Sequence, residues 1–150
     1  MPGQEGKTRR PNYTLAEGEE LIGYFHTHPV DTSYKLRSFF SDNDFYEFHS
    51  KARNTQGYLM LLECGNKRFI VVVEDVIKYQ EFMTIARIRQ LNKEAYIEST
   101  LLPQQPTYWT NGQQASIDAA KQFFGASSVC GLGFYETTDP SKTNFIKINP

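Results

Sequence analysis

Histidine is scarce in this chain, with three in 150 residues, and cysteine is scarcer, with two. Cys64 and Cys130 alone can build neither a disulfide framework nor a Cys-x-x-Cys metal clasp. One bridge between them is open on sequence; a reduced pair in a cytoplasmic protein is the expectation. An excess of either charge is also missing: the net charge is −1. That leaves no electrostatic footprint for nucleic acid or an anionic membrane. The one basic cluster, Lys7-Thr8-Arg9-Arg10, is too short to count as a binding patch. No apolar run nears the ~20 residues of a membrane-spanning helix. Met1-Pro2-Gly3-Gln4-Glu5-Gly6 lacks the apolar stretch of a signal peptide. Internal repeats, low-complexity tracts and domain-splitting linkers are absent as well, so one domain over 1–150 is expected.

What is present points to a globular chain. The hydrophobic fraction is 39% and the aromatic fraction 14%, enough to bury a core. Leu21 to His28 reads as a strand that stops at Pro29. A polar loop follows, and Ser41 or Asp42 makes a helix cap before a helix from Asp44 to Arg53. Tyr58–Cys64 and Arg68–Val73 read as strands joined by a Gly65-Asn66-Lys67 turn. Their near-continuous apolarity predicts a sheet covered by helices on both faces. Helices are predicted over Glu81–Glu98 and Gln113–Phe124, with short strands over Val129–Glu136 and Asn144–Ile148. The fold class is therefore mixed α/β or α+β, a central mixed sheet flanked by helices.

Two of the three histidines sit in one tripeptide, His26-Thr27-His28. Residues i and i+2 of a strand project from the same face, roughly 6.5–7 Å apart along it. Two imidazoles there can converge on one ion, and Pro29 places them at the end of the strand. Asp44, in the first turn of the next helix, can supply a carboxylate. Two His, one carboxylate and an open position is the layout of a catalytic zinc centre. The Ser41-Asp42-Asn43-Asp44 stretch has a second reading as a helix capping box.

The segment Gly23-Tyr24-Phe25-His26-Thr27-His28-Pro29 followed by Phe40-Ser41-Asp42-Asn43-Asp44 resembles the signature of the JAMM (JAB/MPN) zinc metalloproteases. That signature has a glutamate, then His-Ser/Thr-His-Pro, then Ser-x-x-Asp. The resemblance covers about 22 residues. It implies a cytidine-deaminase-like core, with zinc on His26, His28 and Asp44. It further implies that Ser41 holds the tetrahedral intermediate by a hydrogen bond and that a glutamate moves the proton. Such an enzyme hydrolyses a peptide or isopeptide bond in a protein or peptide, a ubiquitin-like conjugate among the candidate substrates. The chain departs from the signature in a longer loop before Ser41, in Phe40 where a proline is usual, and in its short upstream part. A secreted effector domain is a second setting for such a protein, beside the cytoplasm.

The upstream candidates for the glutamate are Glu5, Glu17, Glu19 and Glu20. Glu20 lies six residues before His26, roughly 20 Å along a strand, and Glu19 points to the other face. Glu17 falls in a turn. If the chain reverses near Leu15–Gly18, a strand around 3–10 pairs antiparallel with 22–29. Glu5 then lies opposite His26–Pro29, within reach of one water. Glu5 is thus the candidate base. The competing reading is a non-catalytic module of the same kind that recognises a protein partner.

The remaining chemistry-bearing residues read as structural. His49 lies off the face of Asp44 and is expected to pack or to face solvent. Cys64 and Cys130 are expected in the core. Tyr108 and Trp109, in a Pro-flanked loop, are expected to pack over the core in preference to lining a groove. A deaminase is disfavoured because the zinc-binding Cys pair is missing. Gly131-Leu132-Gly133 lacks the context of a dinucleotide motif.

Overall fold

The computed structural model describes residues 14–28, 39–92, 108–139 and 141–150, without the side chains of Asp42, Ala115, residues 91–92 and residues 108–112. In chain order the described elements are β1 (Gly23–His28), α1 (Asp42–Ala52), β2 (Leu59–Cys64), β3 (Lys67–Val73), α2 (Val76–Phe82), α3 (Ile85–Asn92), α4 (Tyr108–Phe124), α5 (Ser127–Cys130), β4 (Leu132–Thr137) and β5 (Phe145–Lys147). The strands form one mixed sheet in the order β1-β2-β3-β4-β5. β1 runs parallel to β2, and every other pair is antiparallel. This is an α+β fold, in keeping with the predicted class. Among the described residues no helix is long and apolar enough to cross a membrane.

The parallel pair places the candidate site. Parallel neighbours need a crossover, and here it carries α1. A helix that follows a strand begins near that strand's carboxyl end, so the first turn of α1 starts where His28 ends β1. The register sets Tyr24 beside Met60, His26 beside Leu62 and His28 beside Cys64. Cross-strand partners share a face, so both histidines stand on the same side as three buried β2 residues. Gly23 lets β1 come this close, because a Cβ there would collide with the Leu59 carbonyl oxygen and side chain.

That covered face holds the core. Met60, Leu62, Phe69, Val71, Leu132 and Phe134 project into it from the sheet, and all are buried. α1 contributes Phe45 and Phe48, α2 contributes Tyr79, and α4 contributes Phe123 and Phe124, all buried too. Rings meet edge-on or tilted, as aromatic quadrupoles favour. Phe39 and Phe69 centroids lie 4.9 Å apart, as do those of Phe45 and Phe124. Phe39 and Phe40 sink into this cluster just before α1 and so pin its start.

The structure corrects four expectations. Helices on both faces of the sheet were expected from the apolar runs in β2 and β3. Instead β2 alternates half-buried and buried positions, and β3 does the same beyond Arg68. Phe25, Leu61, Ile70 and Tyr135 stand in register across the second face; Phe25 is exposed and the others half-buried. Only β1–β2 is parallel and needs a crossover, and the described buried side chains of the β3–β4 connection, such as Tyr79 and Phe124, join the same core cluster as those of α1. The helix predicted over Glu81–Glu98 is two helices, because buried Met83 leaves helical dihedrals (φ −84°, ψ 68°). Thr84 then caps the second helix, accepting from the Arg87 N–H at 3.4 Å; residues 93–98 lie outside the described residues. The strand predicted from Val129 begins at Leu132, since α5 and a left-handed Gly131 (φ 73°) occupy the residues before it. Tyr108 and Trp109 lie in the first turn of α4, not in a loop.

His49 is a packing histidine, as expected. It is buried on α1, with Nδ1 2.8 Å from the Tyr79 hydroxyl. Burial, with the charge of Arg53 adding, pushes its pKa below the ordinary 6.5. The native state therefore holds His49 neutral while the unfolded chain takes up a proton below about 6.5. Stability from this group is complete above that pH and falls as the pH drops toward the folded pKa. Denaturant titrations of wild type and His49→Gln between pH 7 and 5 should show this as a difference. Wild type should lose stability on acidification faster than the variant, by at most ~1.4 kcal/mol per pH unit. Parallel curves would show that His49 does not titrate differently in the two states.

Candidate metal centre

Ser41 is the N-cap of α1 and Asp44 is its N3 residue. The Asp44 N–H donates to Ser41 Oγ at 3.2 Å, and the Ser41 N–H donates to Asp44 Oδ2 at 2.7 Å. This is a reciprocal capping box, with aspartate in the role usually held by glutamate or glutamine. It satisfies two backbone donors that the helix itself leaves open. The structural reading of Ser41-x-x-Asp44 is thus realised in full, and it orients the carboxylate rather than competing with it.

Fixed in this way, Asp44 meets both histidines. His26 Nε2 lies 3.2 Å from Asp44 Oδ1, and His28 Nε2 lies 3.4 Å from Asp44 Oδ2. One ligand atom from each of the three residues falls within 4.8 Å of the other two, a group able to hold a metal ion. The imidazole centroids are 4.9 Å apart, less than the spacing along the strand, so the rings converge. Side-chain exposures of 21, 14 and 18% for His26, His28 and Asp44 leave the group in a recess that water can still enter.

The electrostatics suit a cation. Burial raises the pKa of the Asp44 carboxyl, but the adjoining His26 and His28 outweigh it and hold the group well below the usual carboxylate range. His26 Nδ1 and His28 Nδ1 are buried without a hydrogen-bond partner among the described residues, and His26 Nε2 faces Asp44 Oδ1. A buried polar atom left unpaired is costly, and a bound ion is one explanation for tolerating it. Two imidazole nitrogens and a carboxylate oxygen are a borderline donor set that fits zinc.

The other sequence candidates fall outside this group. Glu5 and the segment around it lie outside the described residues. A turn is present near the predicted reversal, in which the Glu19 N–H donates to the Ala16 carbonyl at 3.1 Å; the strand predicted over 3–10 lies outside the described residues. Glu17, Glu19 and Glu20 are exposed in or beside it. Glu136 shares the covered face but pairs with Lys67 at 2.8 Å. It stands on β4, three strands from β1 and so roughly 14 Å away at ~4.8 Å per strand. Cys64 and Cys130 are buried and unbridged. Burial pushes the Cys64 thiol up to about 12, which makes it a poor nucleophile. The side chains of Tyr108 and Trp109 lie outside the described residues.

Two neighbours of the imidazoles escaped the sequence reading. Tyr24 stacks on His26, with centroids 5.8 Å apart and planes at 26°. Phe40, at the position where the signature has proline, tilts toward His26 at 6.3 Å. Period-two alternation carried the signal for Tyr24, since residues 24, 26 and 28 share a face. No comparable pattern marks Phe40, whose approach depends on the return of the chain from residues outside the described set. No protein-family model, curated protein or solved structure matches the chain.

The capping box gives a direct check on how Asp44 is held. Ser41→Ala should cost about 1 kcal/mol in denaturant unfolding, within the 0.5–2 kcal/mol range of lost N-caps. An unchanged midpoint would mean that Ser41 Oγ does not support the helix.

Proposed function

We propose that this protein is a zinc-dependent peptidase or isopeptidase of the JAMM type, with the cytidine-deaminase-like core of that family. The observation that carries the proposal is the convergence of His26, His28 and Asp44 at one end of β1, with buried imidazole nitrogens left unpaired. His26, His28 and Asp44 would hold the ion. A zinc ion bound there acts as a Lewis acid on a carbonyl and brings the pKa of water to near 7.

The chain's own residues have the following tasks. Glu5 takes a proton from the attacking water, and the oxygen of that water bonds to the scissile carbonyl carbon. The Ser41 hydroxyl donates a hydrogen bond to the substrate oxygen that gains charge as the carbon becomes tetrahedral. Glu5 then returns the proton to the leaving nitrogen as the C–N bond breaks. Ser41 Oγ already accepts from the Asp44 N–H, so its own proton can serve this donation. The turn at Ala16–Glu19 accords with the assignment of Glu5, which needs a chain reversal just before β1. β1 has only β2 beside it in the described sheet. The substrate class is a protein or peptide, with a ubiquitin-like conjugate as one member, and two unbridged buried cysteines accord with a cytoplasmic setting.

One observation favours a second reading, a partner-binding module that cleaves nothing: among the described residues no carboxylate besides Asp44 joins the group. Metal analysis and turnover separate the two. Purified wild type should carry about one zinc per chain, and His26→Ala should lose it; a wild type without stoichiometric zinc sinks the metal reading. Hydrolysis of a peptide or ubiquitin-like conjugate should fall by a factor on the order of 100 or more in Glu5→Gln, with zinc retained. Zinc without any turnover would favour the binding module.

A further inference from the structure

Metal-ligating histidines ordinarily donate their second ring N–H to a carboxylate, carbonyl or water, which fixes the plane of the ring. His26 shows no such anchor among the described residues: Nε2 faces Asp44 Oδ1 at 3.2 Å, and Nδ1 has no hydrogen-bond partner. Apart from Asp44, the described groups that bear on its ring plane are aromatic neighbours. The Tyr24 ring lies nearly parallel to it at 5.8 Å, and Phe40 tilts against it at 6.3 Å. Tyr24 is itself fixed at both ends. Its hydroxyl lies 2.7 Å from Met60 Sδ on β2 and 3.3 Å from the Asp44 carbonyl on α1. Its ring also leans on Tyr58, with centroids 6.5 Å apart.

We propose that Tyr24 is a positioning residue for the His26–His28–Asp44 group, its ring setting the plane of the His26 imidazole in place of the usual hydrogen bond. The inference rests on the metal reading of that group. The hydroxyl of the same residue also reaches the Asp44 carbonyl at 3.3 Å, a tie between β1 and α1 that is separate from the contact of the ring with His26. The stacked ring and the hydroxyl are separable contributions. The ring orients His26, whereas the hydroxyl links β1 to β2 and to α1.

The test compares wild type, Tyr24→Phe and Tyr24→Leu in two measurements. The first is zinc affinity by competition with a chromophoric chelator. The second is the ring carbon–proton spectrum of the histidines in metal-free protein, assigned with His26→Ala. Tyr24→Leu should weaken zinc binding roughly 10–100-fold. It should also move the His26 ring resonance, which loses the ring current of its neighbour. Tyr24→Phe should keep both the affinity, within the same order of magnitude, and the resonance position. Lower thermal stability in Tyr24→Leu with both readouts unchanged would overturn the inference and leave Tyr24 as core. If wild type takes up no zinc, the metal reading fails, and the His26 resonance alone decides the positioning role. If Tyr24→Leu does not fold, Tyr24→Phe decides: a tenfold loss of affinity or a displaced His26 resonance there overturns the stacked ring as the orienting element.

Discussion

The carboxylate of Asp44 is the constraint on which this structure turns. It accepts the Ser41 N–H at 2.7 Å and faces both imidazoles at 3.2 and 3.4 Å. The start of α1 and the geometry of the histidine pair therefore cannot shift independently. If the helix frays by a turn, the carboxylate leaves the imidazoles. If β1 slips by one residue against β2, both histidines turn to the other face and the carboxylate loses its partners. The capping box, the parallel register and the close approach at Gly23 are thus one mechanical unit. The depressed pKa of Asp44 is its electrostatic expression.

Around this unit the support is aromatic rather than polar. Phe39 and Phe40 enter the core ahead of α1, Phe45 and Phe48 hold its buried side, and Tyr24 lies against the nearer imidazole. Such packing leaves the side chains of His26, His28 and Asp44 only 14–21% exposed. Lower local polarity strengthens the interaction of an ionised carboxylate with whatever cation lies beside it. It also makes unpaired imidazole nitrogens expensive, which ties the tolerance of those nitrogens to the ligand they would hold. The proposed chemistry and the hydrophobic core thus draw on the same rings.

Much of this was legible in local signals. Alternation along residues 21–28 showed that the two histidines share a face. Ser41-x-x-Asp44 announced both a helix start and a carboxylate near it. Gly65-Asn66 between two apolar runs marked the β2–β3 hairpin, and the unbridged, buried state of both cysteines matched expectation. Each is a short-range effect, settled by backbone dihedrals or by which side chains can reach their neighbours. The misreadings came where local preference was overridden. Residues 81–98 carry helical periodicity, yet Met83 is drawn into the core and breaks the helix. Val129 and Cys130 have strand-forming composition, yet the left-handed Gly131 turns them into a helical approach to β4. Apolar runs in β2 and β3 suggested two covered faces, but strand order and crossover placement decide coverage, and neither is written in a run of residues.

The amino-acid sequence by itself determined the types of the three candidate ligand residues, the parity of the histidines on one strand and the cap that starts the next helix, because those depend on chemistry and on separations of a few residues. Only the tertiary structure decided that the carboxylate lies within 3.2–3.4 Å of the two imidazoles. Only it decided that Tyr24 and Phe40 form the wall against His26, and that one sheet face stays without a helix among the described residues. Those outcomes depend on strand order, register and the route of the chain between residues distant in sequence. They are settled by the packing of the whole core, which no single segment encodes.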